Sequence, residues 1–171
     1  GVPDPASRLE VLREYASQPR GSALQARGVF AHAPYTCSAE TIRSAKGIAR
    51  EHGLRFFIHV AEAAWETDQC RQEHDGKTPV QFLDSLDVLD SETALVHAVQ
   101  VDEADADRIA ERGASVVICT QSNLKLASGI APVRQYLDRG IPLALGTDGA
   151  ASNNTLDMFR EMNLTAKIQK L

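Results

Sequence analysis

Three histidines, an aspartate and a glutamate have the types and positions to do chemistry. His32 follows the apolar run Val29-Phe30-Ala31, His59 follows Phe57-Ile58, and His97 follows Leu95-Val96. Asp148 closes Gly146-Thr147-Asp148 after the run Leu143-Ala144-Leu145. Taken singly, each has an ordinary reading. A histidine after an apolar run is commonly a hydrogen-bonded core residue, and an aspartate in Gly-Thr-Asp-Gly is commonly turn chemistry. Together they carry more, because three of only five histidines stand at equivalent ends of apolar runs. Imidazole and carboxylate converging on one point form the ligand set of a catalytic zinc-type site with a position open for water. Glu62 lies three residues beyond His59, in the loop just above such a metal. A carboxylate there can carry protons between water and a leaving group. It can equally begin the next helix, where an acidic residue complements the dipole. His52 and His74 stand beside Glu51, Glu73 and Asp75 at expected helix ends and read as solvated surface residues. Cys37 and Cys119 lie near strand ends with no histidine beside them in sequence, so packing rather than nucleophilic attack is their reading.

The elements that must position these groups are strands and helices in alternation. The runs at 29–31, 56–58, 94–96, 116–118 and 143–145 are nearly continuous in hydrophobicity, as strands buried on both faces of a parallel sheet are. Ser38 can cap a helix with apolar positions Ile42, Ala45, Ile48 and Ala49, ending before Gly53. Thr78-Pro79-Val80-Gln81 offers an N-cap, a first-turn proline and a capping-box glutamine. Asp102 opens a helix closed by Gly113, residues 132–139 form a shorter one stopped by Gly140, and Asn154 opens a last one carrying Leu156, Phe159 and Met162. Strand and helix repeat five times, which predicts a parallel α/β fold. In a parallel barrel the C-terminal strand ends are where catalytic groups project.

Composition narrows the partners. The chain has 171 residues, 43% of them hydrophobic and 24% charged, with a net charge of −5. No basic cluster is present to track a phosphate backbone, so nucleic acid is excluded as a partner. No apolar run approaches the roughly 20 residues that span a bilayer, which excludes a membrane role. Three cysteines without a CxxC pair fit a reducing, cytoplasmic setting better than a disulfide framework. No Gly-rich phosphate loop follows an early strand, against a doubly wound cofactor-binding domain.

The segments His59-Val60-Ala61-Glu62, Leu95-Val96-His97 and Gly146-Thr147-Asp148-Gly149-Ala150-Ala151-Ser152-Asn153-Asn154 resemble the amidohydrolase superfamily. The resemblance is closest to the branch of S-adenosylhomocysteine/methylthioadenosine deaminases, chlorohydrolases and guanine deaminases. His32-Ala33-Pro34-Tyr35-Thr36-Cys37-Ser38 and Ser122-Asn123-Leu124-Lys125-Leu126-Ala127-Ser128-Gly129 are similar to the nucleoside deaminases in particular. The resemblance implies a divalent metal, zinc first and Fe2+ as an alternative, with His59 and Asp148 as its ligands. It makes His97 the group that orients the attacking hydroxide, Glu62 the proton shuttle, and His32 a contact to the substrate purine, with Ser152 also near the substrate. The activity implied is hydrolytic deamination of adenine nucleosides to inosine-type products and ammonia, with a guanine or triazine hydrolase as the alternative.

Two departures from the family pattern stand out. The Asn-Pro expected before Ser122-Asn123 is replaced by Thr120-Gln121, and no His-x-His pair occurs anywhere in the sequence. Five strands fall short of eight, and 171 residues fall short of the roughly 200 or more of a closed barrel. The expectation is that residues 1–171 form the C-terminal five β/α units of a TIM-type (β/α)8 barrel, with the first strands missing and little activity in the chain alone. Open strand edges then predict a homo-oligomer or aggregate.

Overall fold

The computed structural model describes residues 5–19 and 21–170. Five strands, β1 (Gly28–Ala31), β2 (Arg55–Val60), β3 (Thr93–His97), β4 (Ser115–Ile118) and β5 (Leu143–Leu145), form one parallel sheet in the order β1-β2-β3-β4-β5. Ile58 pairs with Leu95, Val96 with Val117 and Ile118 with Leu145. Ladder bonds run past the strand ends, from His59 N–H to the His32 carbonyl at 3.0 Å and from Gly146 N–H to the Ile118 carbonyl at 2.9 Å. The C-terminal ends of all five strands are thereby held level, at the edge where the polar residues fall.

Among the described residues, eight helices connect and flank the strands: α1 (Pro5–Ser17), α2 (Ala39–Glu51), α3 (Ala64–Glu73), α4 (Pro79–Ser85), α5 (Glu103–Arg112), α6 (Thr120–Lys125), α7 (Val133–Asp138) and α8 (Met158–Ile168). Start and stop chemistry matches the sequence in three of them. The Ser38 hydroxyl accepts from Thr41 N–H, and Thr78 and Gln81 make the reciprocal capping box ahead of Pro79. Asp102 caps α5, and Gly113 ends it at φ 71°, a left-handed value that glycine adopts without a Cβ penalty. The last helix differs from expectation. Asp157 rather than Asn154 caps it, accepting from the N–H groups of Phe159 and Arg160, because Leu156 at φ 46° breaks any earlier start. The first helix, α1, and the six-residue α6 were not anticipated, and α3 was expected only through its end at His74.

One sheet face is closed. Val29, Phe56, Ile58, Leu95, Val116 and Ile118 are at most 1% exposed and pack with Ile42, Ile48, Val80, Leu83, Ile109 and Tyr136 of the helices. The other face is not closed among the described residues: Phe30 is 49% exposed, and Phe57, Val117 and Ala144 also reach solvent. Only β3 is buried along its whole length. The expectation of strands buried on both faces therefore holds for β3 alone, because no helix among the described residues covers the opposite face. At the N-terminal side of the sheet, fully buried Lys46 donates to Asp90 at 2.6 Å and to Thr93 at 2.8 Å, pinning α2 to the start of β3. No helix among the described residues is long and apolar enough to cross a membrane.

Candidate active site at the strand ends

His59 is in β2, His97 ends β3, and Asp148 follows β5 through Gly146 and Thr147. A Cβ at Gly146 would come within 3.2 Å of Cys119 Sγ and Val117, so glycine lets the chain leave β5 here. His97 lies at φ 73°, Ala98 at 44° and Asp148 at 59°. Left-handed backbone at residues other than glycine costs on the order of 1–3 kcal/mol each and collects where side chains must be re-aimed. Here it turns His97 and Asp148 over the strand ends.

The result is convergence. Donor atoms of His59, His97 and Asp148 all lie within 4.8 Å of one another. The His59 and His97 rings stack with centroids 5.3 Å apart, and His32 meets His59 edge-on at 5.2 Å. His59 Nδ1 is 2.7 Å from the His32 carbonyl oxygen, which can only accept, so Nδ1 carries the proton and Nε2 presents a lone pair. Burial lowers the His59 pKa, outweighing the carbonyl bond that would raise it, and the ring is neutral as a ligand must be. For Asp148 the balance runs the other way. Burial pushes its carboxyl up, but donation from Ser122 and Ser152, each at 2.6 Å to Oδ2, and from Gly149 N–H to Oδ1 holds it below the usual carboxylate value. Two nitrogen donors and one ionised carboxylate fit a zinc-type ion and leave coordination positions open.

Glu62 is half-buried, with Oε2 3.5 Å from His97 Nε2 and Oε1 accepting from Ser128 at 3.2 Å. It precedes α3 rather than starting it; the acidic residue at the helix start is Glu66, whose carboxylate accepts from the N–H groups of Glu62 and Ala63. Glu66 thus anchors the backbone that carries Glu62. His32 is exposed at the rim, and the Thr36 hydroxyl donates to the Ala33 carbonyl, so it accepts from His32 Nδ1 at 2.6 Å. Tyr35 and Trp65 stack edge-to-face 4.8 Å apart beside it. A cavity of about 560 Å3 between α1, β1 and α2 touches His32 but not His59, His97 or Asp148, so it is not the reaction centre.

All the residues singled out from the sequence lie at this end of the sheet, but Ser152 spends its hydroxyl on Asp148. Sequence reasoning passed over Ser122, Asn123, Ser128 and Glu66 as individual contacts. The stretch containing the first three stood out only as a resemblance, and Glu66 gave no signal, because alanine at position 63 offers no capping side chain. His74 is half-buried with its ring stacked 3.8 Å from that of Phe82, which corrects its reading as a solvated residue. Burial pushes the Cys119 thiol up to about 12, consistent with packing.

Comparison with known proteins places these features in a family. The amidohydrolase family model matches residues 2–171. The chain is 43% identical over 166 residues to a 5-methylthioadenosine/S-adenosylhomocysteine deaminase of Aquifex aeolicus, covering 97% of this chain and 38% of that protein. It is 44% identical over 143 residues to a 5'-deoxyadenosine deaminase of Methanosphaera stadtmanae, covering 84% of this chain and 33% of the relative. Among solved structures, an adenosine deaminase from Xanthomonas campestris with bound zinc superposes with a TM-score of 0.84 at 36% identity, over 96% of this chain and 36% of that one. The chain spans about a third of the length of these relatives.

Proposed function

The chain belongs to the amidohydrolase family, and on that premise we propose that it supplies the catalytic half-site of a metal-dependent deaminase acting on adenine nucleosides such as methylthioadenosine, S-adenosylhomocysteine and adenosine. The observation that carries the reading is the convergence of His59, His97 and Asp148 beside Glu62, in a chain 43% identical to a deaminase of that kind. His59 and Asp148 would hold the ion, which the donor set favours as zinc and tolerates as Fe2+. His97 is close enough to serve as a third donor or to orient the attacking water. A divalent cation bound here supplies Lewis acidity that lowers the pKa of a water.

The remaining work falls to the chain. Asp148, kept ionised by its hydrogen bonds, takes a proton from the attacking water while His97 Nε2 orients it. An oxygen–carbon bond forms at C6 of the purine. Glu62 carries the water's other proton to the adjacent ring nitrogen, and the proton held by Asp148 then passes by way of Glu62 to the amino group. The carbon–nitrogen bond breaks, ammonia leaves, and the ring becomes that of an inosine-type product. His32 contacts the purine at the rim, and Ser152 lies beside the substrate through its bond to Asp148. Residues 1–171 act here as part of a TIM-type barrel, and a homo-oligomer in the cytoplasm belongs to the same proposal.

Ammonia release by the protein in its full natural length, loaded with zinc, tests the reading against methylthioadenosine, S-adenosylhomocysteine, adenosine, guanine and a chlorotriazine. Turnover of the adenine nucleosides is the expected result. Turnover of guanine or dechlorination of the triazine alone overturns the substrate class while keeping the barrel and the metal.

A further inference from the structure

Helix α6 and the turn after it supply none of the proposed ligands, yet they reach three polar groups of the site. Ser122 donates to Asp148 Oδ2 at 2.6 Å, Asn123 Oδ1 lies 2.8 Å from His97 Nδ1, and Ser128 donates to Glu62 Oε1 at 3.2 Å. Those targets follow or end three different strands: β5, β3 and β2. A single segment, 122–128, therefore ties together groups that the sheet alone brings only to the same edge.

We propose that Asn123 is a positioning residue: its Oδ1 accepts the Nδ1 proton of His97 and so commits the imidazole to the tautomer whose Nε2 lone pair faces Glu62 and Asp148. The tautomer stands on geometry alone, and its use in catalysis rests on the deaminase reading. Both side chains are about 1% exposed, so no water competes for the bond. A neutral imidazole has one N–H, and whichever nitrogen carries it leaves the other as acceptor. Holding a cation and orienting a water's proton both require the lone pair at Nε2, which lies 3.5 Å from Glu62 Oε2. The proton must then sit on Nδ1, where the amide oxygen of Asn123 accepts it.

A second observation points the same way. Asn123 Nδ2 is buried with no partner among the described residues. An unsatisfied buried donor destabilises a fold, and a leucine, branched at the same carbon, would carry none. An amide at this position is useful only for its oxygen. His59 has the same arrangement, but its Nδ1 partner is the backbone carbonyl of His32, which substitution cannot remove. His97 depends on a side chain, so its tautomer can be changed.

The test uses the protein in its full natural length with 15N-labelled histidine, and reads the tautomer of His97 from long-range nitrogen–proton correlations without substrate. Wild type is expected to show His97 protonated at Nδ1. Asn123→Leu should show loss of that single tautomer, with zinc affinity and kcat each lower by about 10–100-fold and KM little changed. Asn123→Asp, which keeps an acceptor oxygen, should retain the Nδ1 proton and recover zinc affinity relative to Asn123→Leu. A wild-type His97 protonated at Nε2 overturns the proposal, as does an Asn123→Leu protein with an unchanged tautomer. If Asn123→Leu does not fold, the wild-type and Asn123→Asp spectra decide, and loss of the Nδ1 proton in the latter overturns it. Absence of ammonia release from every adenine nucleoside defeats the deaminase reading and leaves the tautomer to be judged by the spectrum.

Discussion

Asp148 shows how much of this site depends on single hydrogen bonds. Its carboxylate stays ionised despite burial because two hydroxyls and one backbone N–H donate to it. Ser122→Ala removes one of them from a charged acceptor, a loss of about 1.5–3 kcal/mol in the stabilisation of that charge. Zinc titration should find weaker binding in Ser122→Ala with the fold intact by circular dichroism, and equal affinity would show that the bond plays no part in holding the ion. The ligand candidates were legible in the sequence because each stands at the end of an apolar run, where a parallel sheet delivers side chains to one edge. Their supports were not. Ser122 and Asn123 each meet a partner 26 positions away, and Ser128 meets one 66 positions away. Small polar residues in a connecting segment read as turn chemistry until the fold brings their targets to them.

Elements were legible where local chemistry fixes their ends, as at Ser38, Thr78, Asp102 and Gly113. They were not where one backbone angle decides, as at Leu156. Lys46 is a further case, since a lysine on the expected core face of α2 gives no sequence sign of the acid that neutralises it. Asp90 is that acid, 44 positions away. Burial pushes its carboxyl up, but the bonds from Lys46 and Arg50 outweigh this and hold it below the ordinary value of 3.8. A depressed carboxylate stabilises the fold fully above its unfolded value and loses that contribution as pH falls through the folded one. Asp90→Ala should therefore destabilise at neutral pH, near the low end of the ~3–5 kcal/mol seen on breaking a buried pair, because Asp90 is partly solvated and Thr93 still accepts from Lys46. Urea unfolding at pH 7 and below pH 3 checks the sign: the difference between wild type and variant should shrink in acid, and a difference independent of pH would contradict the assignment. At the same end of the sheet, beside Ser91, Gly113→Ala places a side chain at φ 71° and should cost about 1 kcal/mol or more in the same assay.

At the scale of the whole molecule, the parallel strand order was legible from five buried runs, while the open sheet face was not, because hydrophobicity does not say what covers a strand. Among the described residues β1 and β5 each pair on one side only, and Phe30 and Phe159 are 49% and 83% exposed. Unpaired edges and exposed aromatics invite association. In light scattering at micromolar concentration, residues 1–171 alone should run as a dimer or larger species, and a monodisperse monomer would contradict this. The central claim, a metal-dependent deaminase site in which Glu62 moves the proton, is tested most directly by measuring bound zinc and ammonia release together, in the full natural protein and its Glu62→Gln variant, with methylthioadenosine. The account predicts equal zinc content in both, and ammonia release lower by about 10²–10⁴-fold in the variant. Equal rates in the two proteins, or no ammonia from the zinc-loaded wild type, would contradict it.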